Sequence, residues 1–287
     1  MEIGVIGLGL IGGSISKAIK ENTAHRVSGR DIDPAATGKA LQEKAIDGIL
    51  ESKDLGKPDI IFVCLHPEQT IDFMRGHAAD FRKGAIVCDV CGVKRAPVAE
   101  AEGLLMDHGV IYLGTHPMAG REFSGYDHSD AAIFRGASFI ITPTDRTPEA
   151  AVDVIANLAG EMGFGMVVTA TPAQHDRNIA FTSQLAHIAS NAYVKSPALS
   201  SEIGFSAGSF QDLTRVAKLN EDLWTALFMM NSDYLTEELE LYIGHLNEYK
   251  EAIQKGDAGK LRELLREGRL LKEESLRKER SDSQCLE

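Results

Sequence analysis

The start of the chain constrains the fold more strongly than any other stretch. The apolar run Glu2 to Gly7 continues directly into Gly7-Leu8-Gly9-Leu10-Ile11-Gly12-Gly13-Ser14, and a helical pattern follows. Gly-x-Gly-x-x-Gly between a strand and a helix is typical of dinucleotide-binding domains. In that setting Gly7 permits a tight turn, Gly9 lets a pyrophosphate approach the backbone, and Gly12 lets the helix pack against the strand. The sequence therefore predicts a dinucleotide-binding α/β domain.

The predicted cofactor is NAD. The second predicted strand ends at Asp31, where a carboxylate accepts hydrogen bonds from ribose hydroxyls and repels the 2′-phosphate of NADP. Arg30 beside it leaves NADP open as the less favoured alternative. Asp33 is the other acidic candidate, but the Asp33-Pro34 pair is more typical of a helix cap and first helical residue. Leu65 and Pro67, around the end of the third predicted strand, complete the predicted cofactor site.

Strand-like and helical stretches alternate over the first half, which predicts a doubly wound, largely parallel sheet. The later predicted strands are Asp59 to Leu65, Ala85 to Val90, Val110 to Leu113, Ala137 to Thr142 and Met166 to Thr169. From Thr171 onward the pattern is helical. The prediction is a helix from Pro172 to Val194, a middle group of helices from Pro197 to Leu219, a long helix from Asn220 to Gln254 and a last one from Asp257 to Lys278. We therefore expect a Rossmann-type domain over 1–168, an all-α domain over 169–280 and a tail over 281–287.

The helical half is predicted to form a homodimer. Its long helices carry an apolar stripe that a bundle of this size cannot bury alone, and a second copy would cover it. The stripe consists of Leu223, Leu227, Met230, Leu235 and Leu239.

Composition limits the classes of partner. The net charge of −12 argues against nucleic acid, whose binding proteins usually present a basic surface. No apolar run approaches the ~20 residues that span a bilayer, and Glu2 stands where a signal peptide carries positive charge. We expect a cytoplasmic protein with neither a nucleic-acid nor a membrane partner.

Cys88 and Cys91 form a Cys-x-x-Cys pair, a spacing found in redox sites and in half of some zinc sites. However, Cys88 lies inside a strand-like run, and Cys64 and Cys285 do not form the second pair that a four-ligand site needs. The expectation is ordinary reduced thiols and no metal site.

His116 is the candidate catalytic residue. It lies in Thr115-His116-Pro117-Met118-Ala119-Gly120, just beyond the strand Val110 to Leu113. Ligands of doubly wound sheets bind beyond the carboxyl ends of the strands. The following proline restricts the backbone of His116 and so holds the imidazole on a stiff support. The alternative is a loop histidine that caps the strand end.

Two polar groups in the helical half are candidates for substrate binding. Gln184, His187 and Asn191 are three and four residues apart and share a helix face. Asp212 and Arg215 lie one turn apart after a Gly-Ser pair, and a guanidinium presents a planar fork to a carboxylate. The alternatives are a histidine satisfied by a nearby carbonyl and a surface ion pair that contributes little.

Taken together, these motifs resemble the prephenate dehydrogenase family of tyrosine biosynthesis, over residues 1 to about 275. The stretches that carry the resemblance are Gly7 to Ser14, Thr115 to Gly120, His175-Asp176, Ser183 to His187 and Asp212 to Arg215. The resemblance implies an NAD(P)-binding Rossmann domain, a helical dimerisation domain and an active site in the cleft between them.

The resemblance also implies residue roles. His116 matches the catalytic histidine, which accepts a hydrogen bond from the ring hydroxyl of prephenate while a hydride leaves for the nicotinamide and carbon dioxide is lost. Arg215 matches the arginine that binds a substrate carboxylate, and His187 matches a histidine near the substrate. Glu122 and Asp212 match acidic positions that pair with that arginine.

This chain departs from the family pattern at two positions. A Gly-Ser-x-Lys run is replaced by Cys91-Gly92-Val93-Lys94, so a water or the Cys91 thiol is expected in place of the serine hydroxyl. Gln184 stands where some members have histidine. Both changes leave open whether the substrate is prephenate or arogenate.

Two other classes of protein remain as alternatives. A β-hydroxyacid dehydrogenase needs a catalytic lysine early in the helical half, and Lys195 comes too late. A dinucleotide sensor without catalytic activity would explain the glycine-rich loop, but it would give no role to His116, His187 and Arg215.

Overall fold

The structure is a computed structural model that describes residues 1–120 and 123–284. The chain divides into two compact units, Met1–Leu235 and Thr236–Glu287. The predicted boundary near residue 168 falls inside the larger unit, so the division into a Rossmann domain and a helical domain stays a prediction. Within the described part, no helix combines the length and apolar character needed to cross a membrane.

The larger unit is built on an eight-stranded sheet with the order β3-β2-β1-β4-β5-β6-β7-β8. The strands are β1 (Glu2–Ile6), β2 (Arg26–Arg30), β3 (Gly48–Ile49), β4 (Ile60–Val63), β5 (Ile86–Asp89), β6 (Ile111–Pro117), β7 (Ser138–Thr142) and β8 (Met166–Thr169). Of the seven strand pairs in the described part of this sheet, β6–β7 is antiparallel and the other six are parallel. This arrangement confirms the predicted doubly wound, largely parallel sheet.

The central strands are apolar along their length because both faces of the sheet are covered. In β4, Ile60 and Phe62 pack into one apolar cluster, while Ile61 and Val63 pack into the other. The alternation follows from the two-residue period of a strand, which places successive side chains on opposite faces. All four residues are buried.

Twelve α-helices lie between and after the strands in the described residues. They are α1 (Leu10–Asn22), α2 (Pro34–Gln42), α3 (Pro67–His77), α4 (Arg95–Pro97), α5 (Gly103–Asp107), α6 (Glu149–Glu161), α7 (Pro172–Ile179), α8 (Ala186–Tyr193), α9 (Gly208–Thr214), α10 (Glu221–Met230), α11 (Ser232–Gln254) and α12 (Ala258–Gln284). A π-helical segment, Ala180–Leu185, joins α7 to α8. A capping box begins α7, since Thr171 and Gln174 each accept a hydrogen bond from the other's backbone amide.

Strand β6 is longer than predicted. Residues 114–117 were expected to form a loop, but they pair with β7 in an antiparallel ladder that places His116 opposite Ile140 and Pro117 opposite Phe139. His116 therefore lies on a strand, with its backbone fixed by both neighbours. The local sequence, rich in turn-forming residues, does not reveal this pairing because the partner strand lies more than twenty residues away.

The helical half differs from the prediction in two places: a predicted long helix is interrupted, and the last helix extends further than expected. Asn231 interrupts the predicted helix over 220–254, with backbone angles of φ −127° and ψ 26°. The final helix continues to Gln284, so residues 281–284 of the predicted tail are helical, and residues 285–287 lie outside the described part. Of the predicted dimer stripe, Leu227 and Leu235 are already buried within the chain itself.

The end of the glycine-rich motif receives another segment of the chain. A Cβ atom at Gly13 would lie 2.7 Å from Ser129 Cβ and 2.9 Å from Tyr126 Cδ2. The hydroxyl of Ser14 accepts a hydrogen bond of 2.9 Å from the Asp130 amide. Gly13 and Ser14 therefore form the surface of α1 against which the segment Tyr126 to Asp130, which follows β6, packs.

We expect Gly13→Ala to destabilise the protein by roughly 1–3 kcal/mol, because the added methyl group overpacks a closed contact. Gly38→Ala is the matched control: Gly38 is also a helical glycine, but apart from its own stretch of helix backbone no atom lies within 4 Å of the position of an added Cβ. There alanine should stabilise the protein by up to about 1 kcal/mol through its helix propensity. Urea unfolding midpoints measure both changes, and equal midpoints would contradict this account of Gly13.

Candidate active site

The loop between β1 and α1 has the properties of an anion site. Gly7 adopts a φ of 87°, which favours glycine, and a Cβ atom at Gly9 would meet open space. Helix α1 has no side-chain cap and no acidic residue in its first turn. Its first N–H groups and the positive end of its dipole are therefore available to a phosphate. The loop fits the pyrophosphate of a dinucleotide.

Asp31 lies directly beside this loop. Its Oδ2 accepts a hydrogen bond of 2.7 Å from the Leu8 amide, and its Oδ1 accepts one of 2.9 Å from the Asp33 amide. Asp33 caps α2 instead, as the Asp-Pro pair indicated, by accepting from the Ala35 amide. The neighbouring Arg30 donates from Nη1 to Ser52 Oγ at 2.8 Å. Of the two acidic candidates, Asp31 is the one in contact with the loop.

The other two predicted cofactor residues follow β4. The Leu65 side chain lies against the turn, since its Cδ2 would be 2.8 Å from a Cβ atom at Gly7. Pro67 is buried and is the first residue of α3. The structure therefore places Leu65 next to the loop and Pro67 at the start of the adjacent helix.

His116 is joined by hydrogen bonds to a histidine and an aspartate of α7. The distance from His116 Nδ1 to His175 Nε2 is 2.9 Å, and that from His175 Nδ1 to Asp176 Oδ1 is 2.7 Å. The backbone amides of Lys94 and Arg95 donate to the two carboxylate oxygens of Asp176 at 2.7 and 2.9 Å. Asp176 is fully buried, so these donors replace the water that its charge has lost.

The protonation state of this chain of groups follows from Asp176. Burial alone raises its pKa, but hydrogen bonds from His175 and from two backbone amides outweigh burial and hold the pKa below its ordinary value. An ionised carboxylate only accepts, so His175 carries its proton on Nδ1 and accepts on Nε2. His116 must then donate from Nδ1. Its Nε2 is left without a proton, as a hydrogen-bond acceptor.

Both histidines favour the neutral form that this pattern requires. Burial, followed by the electrostatic effect of the neighbouring His175 and the charge of Lys94, holds the pKa of His116 well below its ordinary value. Burial also lowers the pKa of His175, although the hydrogen bond to Asp176 opposes part of that change. A neutral imidazole with a fixed tautomer is a suitable general base.

A buried ion pair supports the strand beneath His116. Lys94 Nζ donates to Asp89 Oδ1 and, at 2.7 Å, to the carbonyl oxygen of Thr115. Tyr112 donates to the other Asp89 oxygen at 2.7 Å, and Thr115 Oγ1 donates to the Asp89 carbonyl at 2.6 Å. Lys94 and Asp89 are both fully buried. The residue before His116 is therefore held at its carbonyl and at its side chain.

The missing serine at Gly92 is replaced by an apolar contact. A Cβ atom at Gly92 would lie 3.3 Å from Leu227 Cδ2, so the Leu227 side chain occupies the adjoining space. The Cys91 thiol, which was expected to replace the serine hydroxyl, is hydrogen-bonded to Thr70 instead, and burial raises its pKa to about 12. The His175–Asp176 pair, rather than a hydroxyl at position 92, orients His116.

His187 and Arg215 lie close together in the helical half. His187 Nδ1 donates to the Ser183 carbonyl at 2.9 Å, and its ring stacks on Trp224 with 3.7 Å between centroids. Burial and the nearby charge of Arg215 lower the pKa of His187. The neutral ring therefore presents an acceptor at Nε2. The stacking partner is the only tryptophan of the chain, but no sequence spacing indicated the contact.

The remaining predicted site residues occupy varied environments. Gln184 is buried, with its amide nitrogen bonded to the Leu227 carbonyl at 3.1 Å and its amide oxygen to Asn231 at 2.8 Å. Asp212 lies exposed on α9. Asn191 donates to the Ala217 carbonyl at 3.4 Å. Glu122 lies outside the described residues.

His175 and Asp176 were visible in the sequence as a motif, but their contact with His116 was not predicted. His175 and His116 are 59 positions apart in the chain, so no local spacing links them. The sequence feature that could have identified them is an adjacent His-Asp pair near the start of a helix with an N-terminal capping motif.

A glycine-rich loop that fits a pyrophosphate, together with a buried neutral histidine, is the arrangement expected of a nucleotide-binding oxidoreductase, and comparison with known proteins gives the family. Residues 15–168 match the prephenate dehydrogenase nucleotide-binding domain, and residues 171–267 match the prephenate dehydrogenase dimerization domain. The chain belongs to the prephenate dehydrogenase family. This membership confirms the family, the fold class and the class of enzyme that the sequence motifs predicted.

Three relatives illustrate the range of the family. Cyclohexadienyl dehydrogenase of Zymomonas mobilis is 29% identical over 277 residues, which cover 93% of each chain. Prephenate dehydrogenase of Aquifex aeolicus, in complex with hydroxyphenyl propionate and NAD+, has a TM-score of 0.85 and 26% identity, covering 96% of this chain and 98% of that one. Synechocystis arogenate dehydrogenase has a TM-score of 0.82 and 26% identity, covering 96% of this chain and 100% of that one.

We expect the acid side of the pH profile of kcat/KM to titrate below pH 6.5, the ordinary histidine pKa. His116 works as an acceptor only when neutral, and its lowered pKa keeps it neutral to more acidic pH. Initial rates in buffers of constant ionic strength measure the profile of the free enzyme. An apparent pKa above the ordinary histidine value would contradict the environment described for His116.

Proposed function

We propose that the protein catalyses the NAD-dependent oxidative decarboxylation of prephenate to 4-hydroxyphenylpyruvate, in the cytoplasm, as a step of tyrosine biosynthesis. The observation that carries the proposal is the hydrogen-bonded chain from Asp176 through His175 to His116, which leaves an unprotonated nitrogen as acceptor. The reaction needs such a group, because a ring hydroxyl must lose its proton as its carbon is oxidised. The free thiols of Cys64, Cys88 and Cys91 agree with a reducing compartment.

The cofactor is held by the loop Gly7 to Gly12, with Asp31 on the ribose hydroxyls and Leu65 and Pro67 beside the turn. NAD supplies the hydride acceptor when bound. Two observations favour NAD over NADP: the Asp31 carboxylate repels a 2′-phosphate, and Arg30 is bonded to Ser52.

In the proposed mechanism His116 is the general base. Its Nε2 accepts a hydrogen bond and then the proton from the ring hydroxyl, as that carbon becomes a carbonyl. The imidazolium that forms still donates from Nδ1 to His175. The negative charge of Asp176, on the far side of His175, compensates the positive charge. Loss of carbon dioxide leaves its bonding electrons in the ring, which becomes aromatic, and the oxygen takes the proton back from the imidazolium to give the phenol of 4-hydroxyphenylpyruvate. Aromatisation supplies the driving force.

Substrate binding is assigned to the helical half. Arg215 binds a carboxylate of the substrate through its planar guanidinium, and His187 lies beside it. Asp212 and Glu122 are the acidic residues proposed to pair with the arginine. Gln184 has both ends of its amide bonded within the protein, so we propose that it supports the site from behind.

Arogenate is the second candidate substrate, and His187 is the observation that favours it. Because Nδ1 donates to the Ser183 carbonyl, the neutral ring offers only an acceptor at Nε2. The ammonium group of arogenate donates to such a nitrogen, whereas the side-chain ketone of prephenate is itself an acceptor. Rates of NADH formation with prephenate and arogenate offered in turn distinguish the two substrates. Activity with neither would contradict the proposed function.

We further propose that the enzyme is a homodimer. Helix α11 exposes Leu241, Ile243 and Ile253 at 53–64% of their surface, and α12 exposes Leu265 and Leu271 at 59% and 62%. Apolar surface of this extent is typical of an interface. These side chains replace the predicted stripe as the proposed contact with a second copy.

We expect His116→Asn to lower kcat by roughly 10²–10⁴-fold, the usual contribution of a general base. The affinity for NAD should change little, because His116 is not part of the cofactor loop. Stopped-time assays of NADH formation and fluorescence titration of NAD measure the two quantities. His245→Asn is the control, since that side chain is 70% exposed on α11. Near-normal turnover in the His116 variant would exclude its catalytic role.

We expect Asp31→Ser to lower kcat/KM for NAD roughly tenfold to hundredfold, since hydrogen bonds to a charged group contribute ~1.5–3 kcal/mol. The value for NADP should rise, because the repulsive charge is gone. Asp33→Ser is the matched control: serine still caps α2, and the ratio of the two cofactors should not move. If both variants keep the wild-type ratio, the ribose is bound elsewhere.

A further inference from the structure

Arg95 links the His116–His175–Asp176 chain to a distant part of the sequence. It is the first residue of α4, and its backbone amide and Nε both donate to Asp176 Oδ2, at 2.9 and 3.3 Å. Asp176 thus receives one charged donor in addition to its backbone donors. Because this carboxylate is fully buried, a positive partner lowers the cost of keeping it ionised.

The other side of the Arg95 guanidinium is clamped at the junction of α10 and α11. Nη1 and Nη2 donate to the two carboxylate oxygens of Asp233 at 2.8 and 2.5 Å. Nη2 also donates to Asn231 Oδ1 at 3.0 Å, and the Tyr234 ring lies 4.0 Å from Cζ. A bidentate pair combined with a ring contact fixes the plane of the guanidinium.

Asn231 closes this arrangement into a ring of contacts. Its Nδ2 donates at 2.8 Å both to the carbonyl oxygen of Asp176 and to Gln184 Oε1. Asn231 is fully buried, and it is the residue at which the helix breaks between α10 and α11. Arg95, Asp176 and Asn231 therefore contact one another in pairs. The same contacts that hold the helix break also hold the middle of α7, where His175 and Asp176 lie.

We propose that Arg95 is a positioning residue for the reaction: by tying Asp176 to Asp233 and Asn231, it keeps His175 within hydrogen-bonding distance of His116. This inference rests on the proposed function only for its kinetic readout. Arg95 does not contact His116, so its effect passes through Asp176 and His175. Loss of the guanidinium lets the His-Asp pair shift, and the tautomer of His116 is then no longer imposed.

A surface role would give a different result. The Arg95 side chain is 31% exposed and that of Asp233 is 57% exposed, and an isolated ion pair at such exposure contributes little to stability. Arg75 and Glu100 form a comparable pair, each 48% exposed, away from the His116 chain. The two arginines therefore provide a matched comparison.

The test compares Arg95→Gln, Asp233→Asn and Arg75→Gln in the full-length protein. We expect Arg95→Gln to lower kcat roughly tenfold to hundredfold, as small displacements of catalytic groups do, with KM for NAD little changed. Asp233→Asn keeps the contact with Asp176 and should give a smaller loss in the same direction. The double variant should be no slower than Arg95→Gln alone, because both act through one contact chain. Arg75→Gln should match the wild type.

A second readout does not depend on activity. The ¹⁵N shifts of the His116 ring report its tautomer, and Arg95→Gln should convert a single Nδ1-protonated state into a mixture. If the wild type turns over neither substrate, the proposed function fails, and the ring shifts still test Arg95. Wild-type kcat and an unchanged tautomer in Arg95→Gln would overturn the proposal, as would a loss of kcat accompanied by an equal loss in Arg75→Gln. Should Arg95→Gln fold poorly, the exposed Asp233→Asn variant carries the same test.

Discussion

The buried carboxylate of Asp176 is the interaction on which the site depends. An ionised group without water is costly to bury unless hydrogen bonds compensate it. Here the compensation comes from the amides of Lys94 and Arg95 at the start of α4 and from the ring of His175. The amides reach the carboxylate only if α4 begins at Arg95, and His175 donates to it only if its proton is on Nδ1. Because His175 then accepts at Nε2, His116 must donate from Nδ1. The tautomer of His116 therefore follows from the need to satisfy a buried carboxylate.

The topology places His116 at the same edge of the sheet as the glycine-rich loop. Strands β1, β4, β5 and β6 are neighbours and run parallel, so the loop at Gly7 and the residue His116 lie at the same edge of the sheet. The antiparallel pairing of β6 with β7 then extends β6 and stiffens the backbone of His116. Lys94 contributes to both parts, since its amide bonds to Asp176 and its ammonium group bonds to Asp89 and to the Thr115 carbonyl.

Much of the fold could be predicted because its signals are local. Buried parallel strands are short apolar runs, and the Gly7 to Gly12 motif and the Asp33-Pro34 cap each fit within one turn of structure. The helix break at Asn231 and the contact between His116 and His175 were missed, since both depend on hydrogen bonds between residues far apart in the sequence. The same limit applied to Gly92: the sequence indicated a missing hydroxyl, but only the packing of Leu227 shows what fills the space.

The most direct test of the central claim is the tautomer of His116 in the wild-type protein, measured from the ¹⁵N shifts of its ring nitrogens at neutral pH. The hydrogen-bonded chain from Asp176 predicts a neutral ring with the proton on Nδ1 and an unprotonated Nε2. A ring protonated at Nε2, or a positively charged ring at that pH, would contradict the account, because His116 would then have no acceptor to offer the substrate hydroxyl.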